Sequence, residues 1–339
     1  MGLYCGIDLH SNNSVISVLD EEETVVFERR LPNVLEVIVG ALKGYLDELV
    51  GCVVEATYNW YWLVDGLEDA GFPMVLAHPG GMRQYDGLKH ADDVSDARFL
   101  ARLLRLGILP RGHIMGREER GVRDALRRRM LLVRQRTVLT LSLQGLVMRH
   151  TGVRLSGGAL SKLGVEGVHE RLSRCEASAQ VGEVLYTSRA ALDAAVEEVE
   201  RQVLSRCKER WQYRLATTMP GVGQVLGMTI ALETGDIERF ANAGHYASYA
   251  RCVKSQRLSN GRRKGEGNRK NGNRYLAWAF IEAAHFAIRY APQVKAYYQR
   301  KSARSHMMVA RKAVANKLAR AMYHMFRDHT PFEVERAFG

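Results

Sequence analysis

Apolar and polar residues alternate along the first thirty positions in three short runs. The apolar runs at residues 3–9, 14–19 and 24–30 are separated by polar, turn-forming segments at residues 11–13 and 20–23. Runs of this length between turn-forming residues are typical of β-strands. The pattern therefore predicts three consecutive strands that pair as an antiparallel meander.

Beyond residue 30 the pattern alternates between helical and strand-like segments. Residues 32–49 have apolar side chains at helical intervals, as do residues 60–70 and 93–106. Residues 51–55 and 73–77 are short apolar runs, typical of buried parallel strands. Three antiparallel strands followed by alternating helices and parallel strands are the element order of the RNase-H-like fold. We therefore expect an α/β domain at residues 1–115.

The middle of the chain, residues 116–210, is helical and strongly charged, without a strand signal. Residues 117–149 are predicted to form one long basic helix and residues 183–211 a second, with the only clear interruption at residues 151–158. Two long helices around a loop predict either an antiparallel hairpin or an intermolecular coiled coil. We expect a helical connector that could form a dimer contact.

Residues 211–339 are predicted to form a third, mostly α-helical domain. Its segment Pro220-Gly221-Val222-Gly223 opens a helix at Gln224, like the second half of a helix-hairpin-helix unit, where backbone N–H groups approach a phosphate. Further helices are predicted at residues 242–252, 274–290 and 294–327, the last as a basic tail, and a long loop at residues 254–273.

Charge and composition narrow the class of partner. The chain has 339 residues, 46% of them apolar, and a formal net charge of +12, so it can bury a core while attracting polyanions. Nucleic acid is the expected partner, and without a long apolar span or lipidation signal we expect no membrane association. The N-terminus has no signal-peptide pattern, and the five scattered cysteines lack zinc-ligand spacing, which predicts a cytoplasmic protein with reduced thiols.

Four acidic residues fall where an α/β sheet would bring them together. Asp8 lies in the first strand, Glu55 ends the fourth, and Asp93 and Asp96 lie one turn apart on a helix. Open α/β sheets place their sites at strand carboxyl ends, and an unpaired carboxylate is costly to bury. Converging carboxylates need cations between them, so we predict a catalytic Mg²⁺ site at these four residues, of the two-metal type that transfers phosphoryl groups.

Two neighbours leave alternatives open. Asp92 shares a helix face with Asp96 and could replace Asp93, although we interpret Asp92 as an N-cap or first-turn acid. His10 could order water or phosphate, or it could simply be part of a polar turn.

A basic segment at residues 251–274 contains nine Lys or Arg residues and one acid, Glu266. Such a run is either a solvated loop or a segment that wraps a phosphate backbone and releases counterions. Its only hydroxyls are Ser255 and Ser259, which chemistry alone would leave as polar filler. The predicted nucleic-acid contacts here are Arg257, Arg262, Arg263, Lys264, Arg269, Lys270 and Arg274.

A second basic segment lies at residues 117–136, where eight arginines accompany three acids. Arginine is suited to phosphate recognition by its planar fork of donors. Arg127 and Arg128 are therefore further predicted nucleic-acid contacts, and the alternative is a solvated helix face.

Six short motifs in this order resemble the DEDD transposases of the insertion sequence 110 (IS110/IS1111) family. They are Gly-Ile-Asp-Leu-His at 6–10, Val-Glu-Ala-Thr at 54–57, Asp-Val-Ser-Asp-Ala at 93–97, Pro-Gly-Val-Gly at 220–223, Thr-Gly-Asp-Ile-Glu-Arg-Phe at 234–240 and Gly-Asn-Arg-Tyr-Leu at 272–276. The resemblance implies a RuvC-like (RNase-H-like) domain, a coiled-coil connector and a C-terminal transposase domain. It extends over nearly the whole chain.

The resemblance also implies a chemistry. In such enzymes a serine of the C-terminal domain attacks DNA while the acids bind Mg²⁺, in a composite site between subunits of a dimer or tetramer. Ser259, followed by Asn260 and Gly261, matches the family's serine segment best, and Ser255 is the alternative. The resemblance further implies a bridge RNA that selects donor and target DNA, and we expect the protein to act at the nucleoid in the bacterial cytoplasm.

Two other functions remain open from the residues. One is a Holliday-junction-resolvase-like, Mg²⁺-dependent nuclease that uses water as the nucleophile and does not need the serine. The other is a nucleic-acid-binding protein without catalysis, which the charge alone would explain.

Overall fold

The computed structural model describes residues 2–88, 92–253, 257–265 and 271–339. The chain separates into two compact units, Met1–Arg117 and Glu118–Gly339. This division lies close to the predicted end of the first domain. The further division of the second unit into connector and C-terminal domain stays a prediction.

The first unit is built on a five-stranded sheet with the order β3-β2-β1-β4-β5. Its strands are β1 Leu3–Leu9, β2 Asn13–Leu19, β3 Val25–Pro32, β4 Leu49–Glu55 and β5 Met74–Ala77. The first three strands pair antiparallel, whereas β4 lies parallel to both β1 and β5. The predicted meander and the two parallel strands are therefore confirmed.

Helices cover both faces of this sheet. They are α1 Leu35–Leu42, α2 Tyr61–Asp69, α3 Pro79–Met82 and α4 Asp93–Arg105, with short 3₁₀ turns at Lys43–Glu48 and Arg83–Leu88. Ile7 and Val54 pack with α1 and α2 on one face, whereas Val53 packs with Leu100 and Leu103 of α4 on the other. Helix α4 thus lies against the face opposite to the one that Ile7 occupies.

In the described part of the second unit, the structure consists of helices and one small hairpin. Its helices are α5 Arg117–Thr151 (which begins at the boundary), α6 Gly157–Leu172, α7 Glu176–Cys207, α8 Trp211–Ala216, α9 Gln224–Thr234, α10 Ala243–Tyr249, α11 Arg274–Tyr290, α12 Pro292–Ser302, α13 Met307–Arg327 and α14 Val334–Phe338. The hairpin strands are β6 Arg257–Ser259 and β7 Arg262–Gly265. An α/β first part and a mostly helical remainder are confirmed.

Helices α5 and α7 run antiparallel within the chain. Polar bonds join four residues of α5 to four at or near α7, in the pairs Glu119–Arg210, Arg129–Glu200, Arg136–Asp193 and Thr140–Arg189. Successive pairs are ten, seven and four residues apart in both helices. Such spacing follows the 3.5-residue period of a coiled coil. Of the two arrangements predicted for the connector, the antiparallel hairpin is present in the chain.

Two helix predictions and one loop prediction need correction. A second interruption separates α6 from α7, because Cys175 at the start of α7 has an extended backbone (φ −138°). The predicted tail helix is two helices, since His306 is extended and caps α13 with its side chain. Within the predicted loop, residues 257–265 form an antiparallel hairpin.

Among the described residues, no helix combines the length and apolar character needed to cross a bilayer.

Gly221, in the segment interpreted as helix-hairpin-helix-like, has a packing role. Its φ is +82°, and a Cβ there would lie 2.3 Å from the carbonyl oxygen of Ala283 in α11. Only glycine combines this backbone conformation with such a close approach. Helix α9 does begin at Gln224, as predicted.

Candidate functional site

Two aspartates and a histidine meet at the carboxyl end of β1. The Nε2 atom of His10 lies 3.1 Å from a carboxylate oxygen of Asp8 and 3.5 Å from one of Asp93. Ligand atoms of these three residues all lie within 4.8 Å of one another, and all three side chains are partly exposed. Water and a diffusing cation can therefore reach the cluster.

Strand register brings Glu55 to the same end of the sheet. The last register pair of the parallel strands β1 and β4 is Ile7 with Val54, so Asp8 and Glu55 are the next residues on each strand. Side chains alternate along a strand. Because Ile7 and Val54 face α1 and α2, Asp8 and Glu55 belong to the opposite face, where α4 lies.

Gly6 allows α4 to approach that face closely. A Cβ on Gly6 would lie 1.9 Å from the carbonyl oxygen of Ala97 and 2.8 Å from the amide nitrogen of Ala101. No side chain fits in this space, so the backbones of β1 and α4 are in direct contact. Asp93 and Asp96 lie in the first turn of α4 and are thereby held beside the end of β1.

Asp92 has a different role from Asp93. It is the N-cap of α4, and its carboxylate accepts a hydrogen bond of 2.7 Å from the amide of Ser95. Hydrogen bonds from Ser95 hold the pKa of Asp92 below its ordinary value. The N-cap prediction for Asp92 is confirmed, and Asp93 is the residue that lies with Asp8 and His10.

Arg30 on β3 adds a cation that the sequence patterns did not indicate. Its guanidinium donates to Asp93 at 2.6 Å and to the Asn13 side-chain oxygen at 2.8 Å. The hydrogen bond from Arg30, aided by the charge of His10, holds the pKa of Asp93 below its ordinary value against the opposing effect of desolvation. Arg30 lies 63 residues before Asp93, so no local spacing could have identified the pair.

The donor set fits a divalent cation. Two carboxylates and one imidazole are ligands that Mn²⁺ accepts, and carboxylates are those that Mg²⁺ prefers. Arg30 already places a positive charge against Asp93, and an imidazole nitrogen of His10 lies against Asp8. Asp8, His10 and Asp93 could hold the ion, with Glu55 and Asp96 contributed by the neighbouring strand and helix turn.

Ser259 lies on the hairpin of the second unit. It is exposed, ends β6, and pairs across the hairpin with Arg262, which is also exposed. The turn between them is Asn260-Gly261, with φ of +50° and +70°. Positive φ at both central residues defines a type I′ turn, which favours Asn-Gly. This dipeptide was the signal that could have predicted the hairpin from the sequence.

The other predicted nucleic-acid contacts are distributed unevenly. Lys264, Arg274 and Arg128 are exposed. For Arg257 and Arg263 the structure describes only the backbone, in β6 and β7. Three further predicted residues, Ser255, Arg269 and Lys270, lie outside the described residues.

Arg127 differs from its neighbour Arg128. Its guanidinium donates to both carboxylate oxygens of Glu233, at 2.6 and 2.7 Å, and Glu233 is only 3% exposed. The guanidinium also lies over the ring of Tyr275, 4.7 Å from its centre. Burial opposes the charge of Arg127, but the bonds to Glu233 prevail and raise its pKa above the ordinary value. The positive charge of Arg127 is thus matched by a buried carboxylate.

Comparisons with known proteins match two parts of the chain. Residues 5–151 match a family of DEDD transposases of the IS110 type, and residues 213–299 match the transposase IS116/IS110/IS902 family. The first match includes all four predicted acids, and the second includes Ser259.

Individual relatives agree with these matches. The transposase for insertion sequence element IS1111A of Coxiella burnetii is 26% identical over 301 residues, which cover 84% of this chain and 78% of the relative. An uncharacterized protein of insertion element IS110 from Streptomyces coelicolor is 30% identical over 34% of this chain and 29% of its own length. One of IS116 from Streptomyces clavuligerus is 28% identical over 42% and 36%, respectively.

A candidate divalent-cation site on an α/β sheet, in a chain that also has a basic helical unit, is typical of enzymes that act on nucleic acids. The family matches make this enzyme a transposase. The chain belongs to the IS110/IS1111 family of insertion-sequence transposases.

Proposed function

We propose that this transposase cuts and rejoins DNA with Ser259 as the nucleophile and with Mg²⁺ held by Asp8, Glu55, Asp93 and Asp96. The observation that carries the proposal is the meeting of Asp8, His10 and Asp93 within 4.8 Å at the carboxyl end of β1. The strand order and the position of α4 support a RuvC-like, RNase-H-like first domain.

The acids and the serine have separate tasks in this proposal. A bound Mg²⁺ would neutralise charge on the phosphate and polarise its oxygens. Asp8 and Asp93 would hold the ion, and His10 would be a further ligand or would orient the carboxylates. Because Arg30 is bonded to Asp93, it would hold that carboxylate in place until a metal ion displaces the guanidinium.

The covalent step exchanges one phosphoester for another. The Oγ atom of Ser259 forms a bond to phosphorus, the bond from phosphorus to one deoxyribose oxygen breaks, and the serine proton ends on the leaving oxygen. Attack by the released hydroxyl of a second strand reverses these changes and frees the serine. The exposure of Ser259 and its pairing with Arg262 support this role, since a guanidinium beside the serine would attract a phosphate.

RNA guidance belongs to the same proposal. Family membership supports a bridge RNA that selects donor and target DNA, and the net charge of +12 suits a protein that binds two polyanions. Sequencing the RNA that copurifies with the protein tests this directly. Recovery of one non-coding RNA encoded beside the gene is expected, whereas a random sample of cellular RNA would contradict guidance.

The serine is tested by trapping the intermediate. The purified protein, Mg²⁺ and element-end DNA with its copurified RNA should form a protein–DNA adduct that Ser259→Ala abolishes. Ser255→Ala and the exposed Ser305→Ala are matched controls that should retain the adduct. Cutting that survives Ser259→Ala, with free DNA ends and no adduct, would instead identify a resolvase-like nuclease that uses water.

Mixing variants tests whether the site is shared between subunits. Asp8→Ala and Ser259→Ala proteins are each expected to be inactive alone. If one subunit supplies the acids and another the serine, mixed oligomers should recover part of the adduct. A mixture as inactive as its components would show that both groups act from one chain.

The role of His10 can be measured without catalysis. Pulsed EPR of bound Mn²⁺ detects a directly coordinated imidazole nitrogen, and this coupling should vanish in His10→Ala. An unchanged spectrum would leave the carboxylates as the only protein ligands.

A further inference from the structure

We propose that Glu233 is a positioning residue that clamps the two ends of the segment that carries the serine hairpin. The role in catalysis rests on the proposed function, because it assumes that this hairpin supplies the nucleophile. The clamp itself depends only on contacts within the second unit.

Glu233 is a buried carboxylate with three charge-assisted hydrogen bonds. Arg127 of α5 donates two of them, and the side-chain amide of Asn273 donates the third at 2.7 Å. A buried charge is tolerated when it is paired and hydrogen-bonded. One carboxylate on α9 therefore joins α5 to the residue at which α11 begins.

Asn273 connects Glu233 to the backbone at the start of α11. Its side-chain oxygen accepts hydrogen bonds from the amides of Tyr275 and Leu276, at 2.8 and 3.1 Å, and so caps α11. The side-chain nitrogen of Asn273 must then face Glu233 and donate a hydrogen bond to it. A carboxylate is a suitable partner because it has acceptors only. Both halves of the amide are in use, and its orientation is determined by its neighbours.

Hydrogen bonds among Tyr249, Arg251, Gly272 and Asn273 join the two ends of the hairpin segment, and we call these four residues the neck. The amide of Asn273 donates to the carbonyl of Tyr249 at 2.6 Å, and the guanidinium of Arg251 donates twice to the carbonyl of Gly272, at 3.1 and 2.8 Å. Gly272 has a φ of +85°, and a Cβ there would lie 2.4 Å from the carbonyl oxygen of Tyr249. Arg251 and Gly272, near the two ends of the segment, are thus held together by hydrogen bonds.

A two-stranded hairpin alone is marginally stable in water, so its position depends on how its ends are held. Glu233 binds Asn273 at one end of the segment, and the bonds from Arg127 to Glu233 connect this end to the long helix α5. This gives the two neighbouring arginines different tasks. Arg127 would orient the serine segment, whereas Arg128 would contact nucleic acid.

The test uses the full chain and separates position from stability. Arg127→Met alone leaves Glu233 buried without its partner and could prevent folding. The double variant Arg127→Met, Glu233→Met removes both charges together and should fold, because buried ion pairs can be replaced by apolar residues of similar size. Arg128→Met is the matched control on the next residue.

In the double variant, amide hydrogen exchange at Asn273, Tyr275 and Leu276 should accelerate about tenfold, the factor expected when charge-assisted hydrogen bonds are lost. Adduct formation should slow by a similar factor while DNA affinity stays within about twofold. Arg128→Met should show the reverse, with wild-type exchange, weaker binding and a salt dependence reduced by about one phosphate contact.

Two results would overturn the proposal. One is a double variant with wild-type exchange and wild-type adduct formation, since a purely stabilising pair would be replaced without loss. The other is an affinity and salt dependence that fall in the double variant as they do in Arg128→Met. If the wild-type protein forms no serine adduct at all, the proposed function fails, yet the exchange rates still decide whether Glu233 holds the neck.

Discussion

Each unit of the protein contains a cluster in which carboxylates meet basic side chains. In the first unit, Asp8 and Asp93 lie with His10 and Arg30 at the end of a strand, and Asp93 is 43% exposed. In the second unit, Glu233 lies between Arg127 and Asn273 and is 3% exposed. The same kinds of groups are in contact, but the Asp93 carboxylate is open to water whereas that of Glu233 is almost closed to it.

The difference shows that burial decides whether the basic partner of a carboxylate can be replaced by another cation. Around Asp93, solvent screens the ion pair, so the basic partner contributes little stability and a metal ion could compete with it. Around Glu233, the low dielectric makes an unpaired charge costly, so its partners cannot leave. A candidate reaction site and a candidate anchor therefore differ more in exposure than in composition.

The largest effect is expected from removing two acids of the exposed cluster. Asp8→Ala with Glu55→Ala should lower Mg²⁺-dependent cutting by at least about 10²–10³-fold, because the phosphate loses its main source of charge stabilisation. Electrophoretic binding assays should show that nucleic-acid affinity is retained. Cutting at the wild-type rate would show that Asp8 and Glu55 have no role in the reaction, and the exposed cluster would then not be a reaction site.

Stability should show the opposite dependence on the two clusters. Glu233→Ala should lower the free energy of unfolding of the second unit by about 3–5 kcal/mol, because Arg127 loses its buried partner. Asp93→Ala, the matched change at the exposed cluster, should alter the urea unfolding curve little. Equal shifts in both variants would mean that exposure does not distinguish the two carboxylates.

Close packing links the exposed cluster to the sheet. Gly6→Ala places a Cβ against the α4 backbone and should destabilise the first unit by about 3 kcal/mol, the upper end for overpacking. Asp93 would also move away from Asp8, so Mn²⁺ binding measured by titration calorimetry should weaken. Gly40→Ala, in an open position of α1, is the control and should be neutral or stabilising.

The smallest effect concerns the ion pair on Asp93. Arg30→Met should raise the pKa of the Asp93 carboxyl toward its ordinary value, as measured by carbon NMR titration. In the folded protein the pKa of the Asp93 carboxyl is lowered. The ion pair therefore stabilises the fold at pH values above the ordinary pKa of this carboxyl, and the contribution is lost as the pH falls through its lowered pKa. Mn²⁺ should bind more tightly to the variant at neutral pH, because a competing cation is gone. An unchanged pKa would mean that Arg30 does not govern Asp93.

Local patterns predicted much of the fold. The three runs before residue 30 became the meander, and the helix predicted at residues 274–290 has those bounds in the structure. Asp8 and Glu55 could be placed at strand ends because strand register and side-chain alternation follow from short-range geometry. The hairpin at residues 257–265 was predicted as a loop, although Asn260-Gly261 contained the signal for it.

The sequence by itself determined the five strands of the first unit and most of the helices, that the chain is basic, and that four acids lie at or near the ends of those elements. Only the tertiary structure decided which charges meet. Arg30 reaches Asp93 across 63 residues, and Arg127 reaches Glu233 across 106. Such pairs depend on how whole elements pack, as at the contact of Gly6 with α4. Hydrophobic periodicity records the buried face of each element, but it does not record which element will lie against that face or how deeply a charge will be buried.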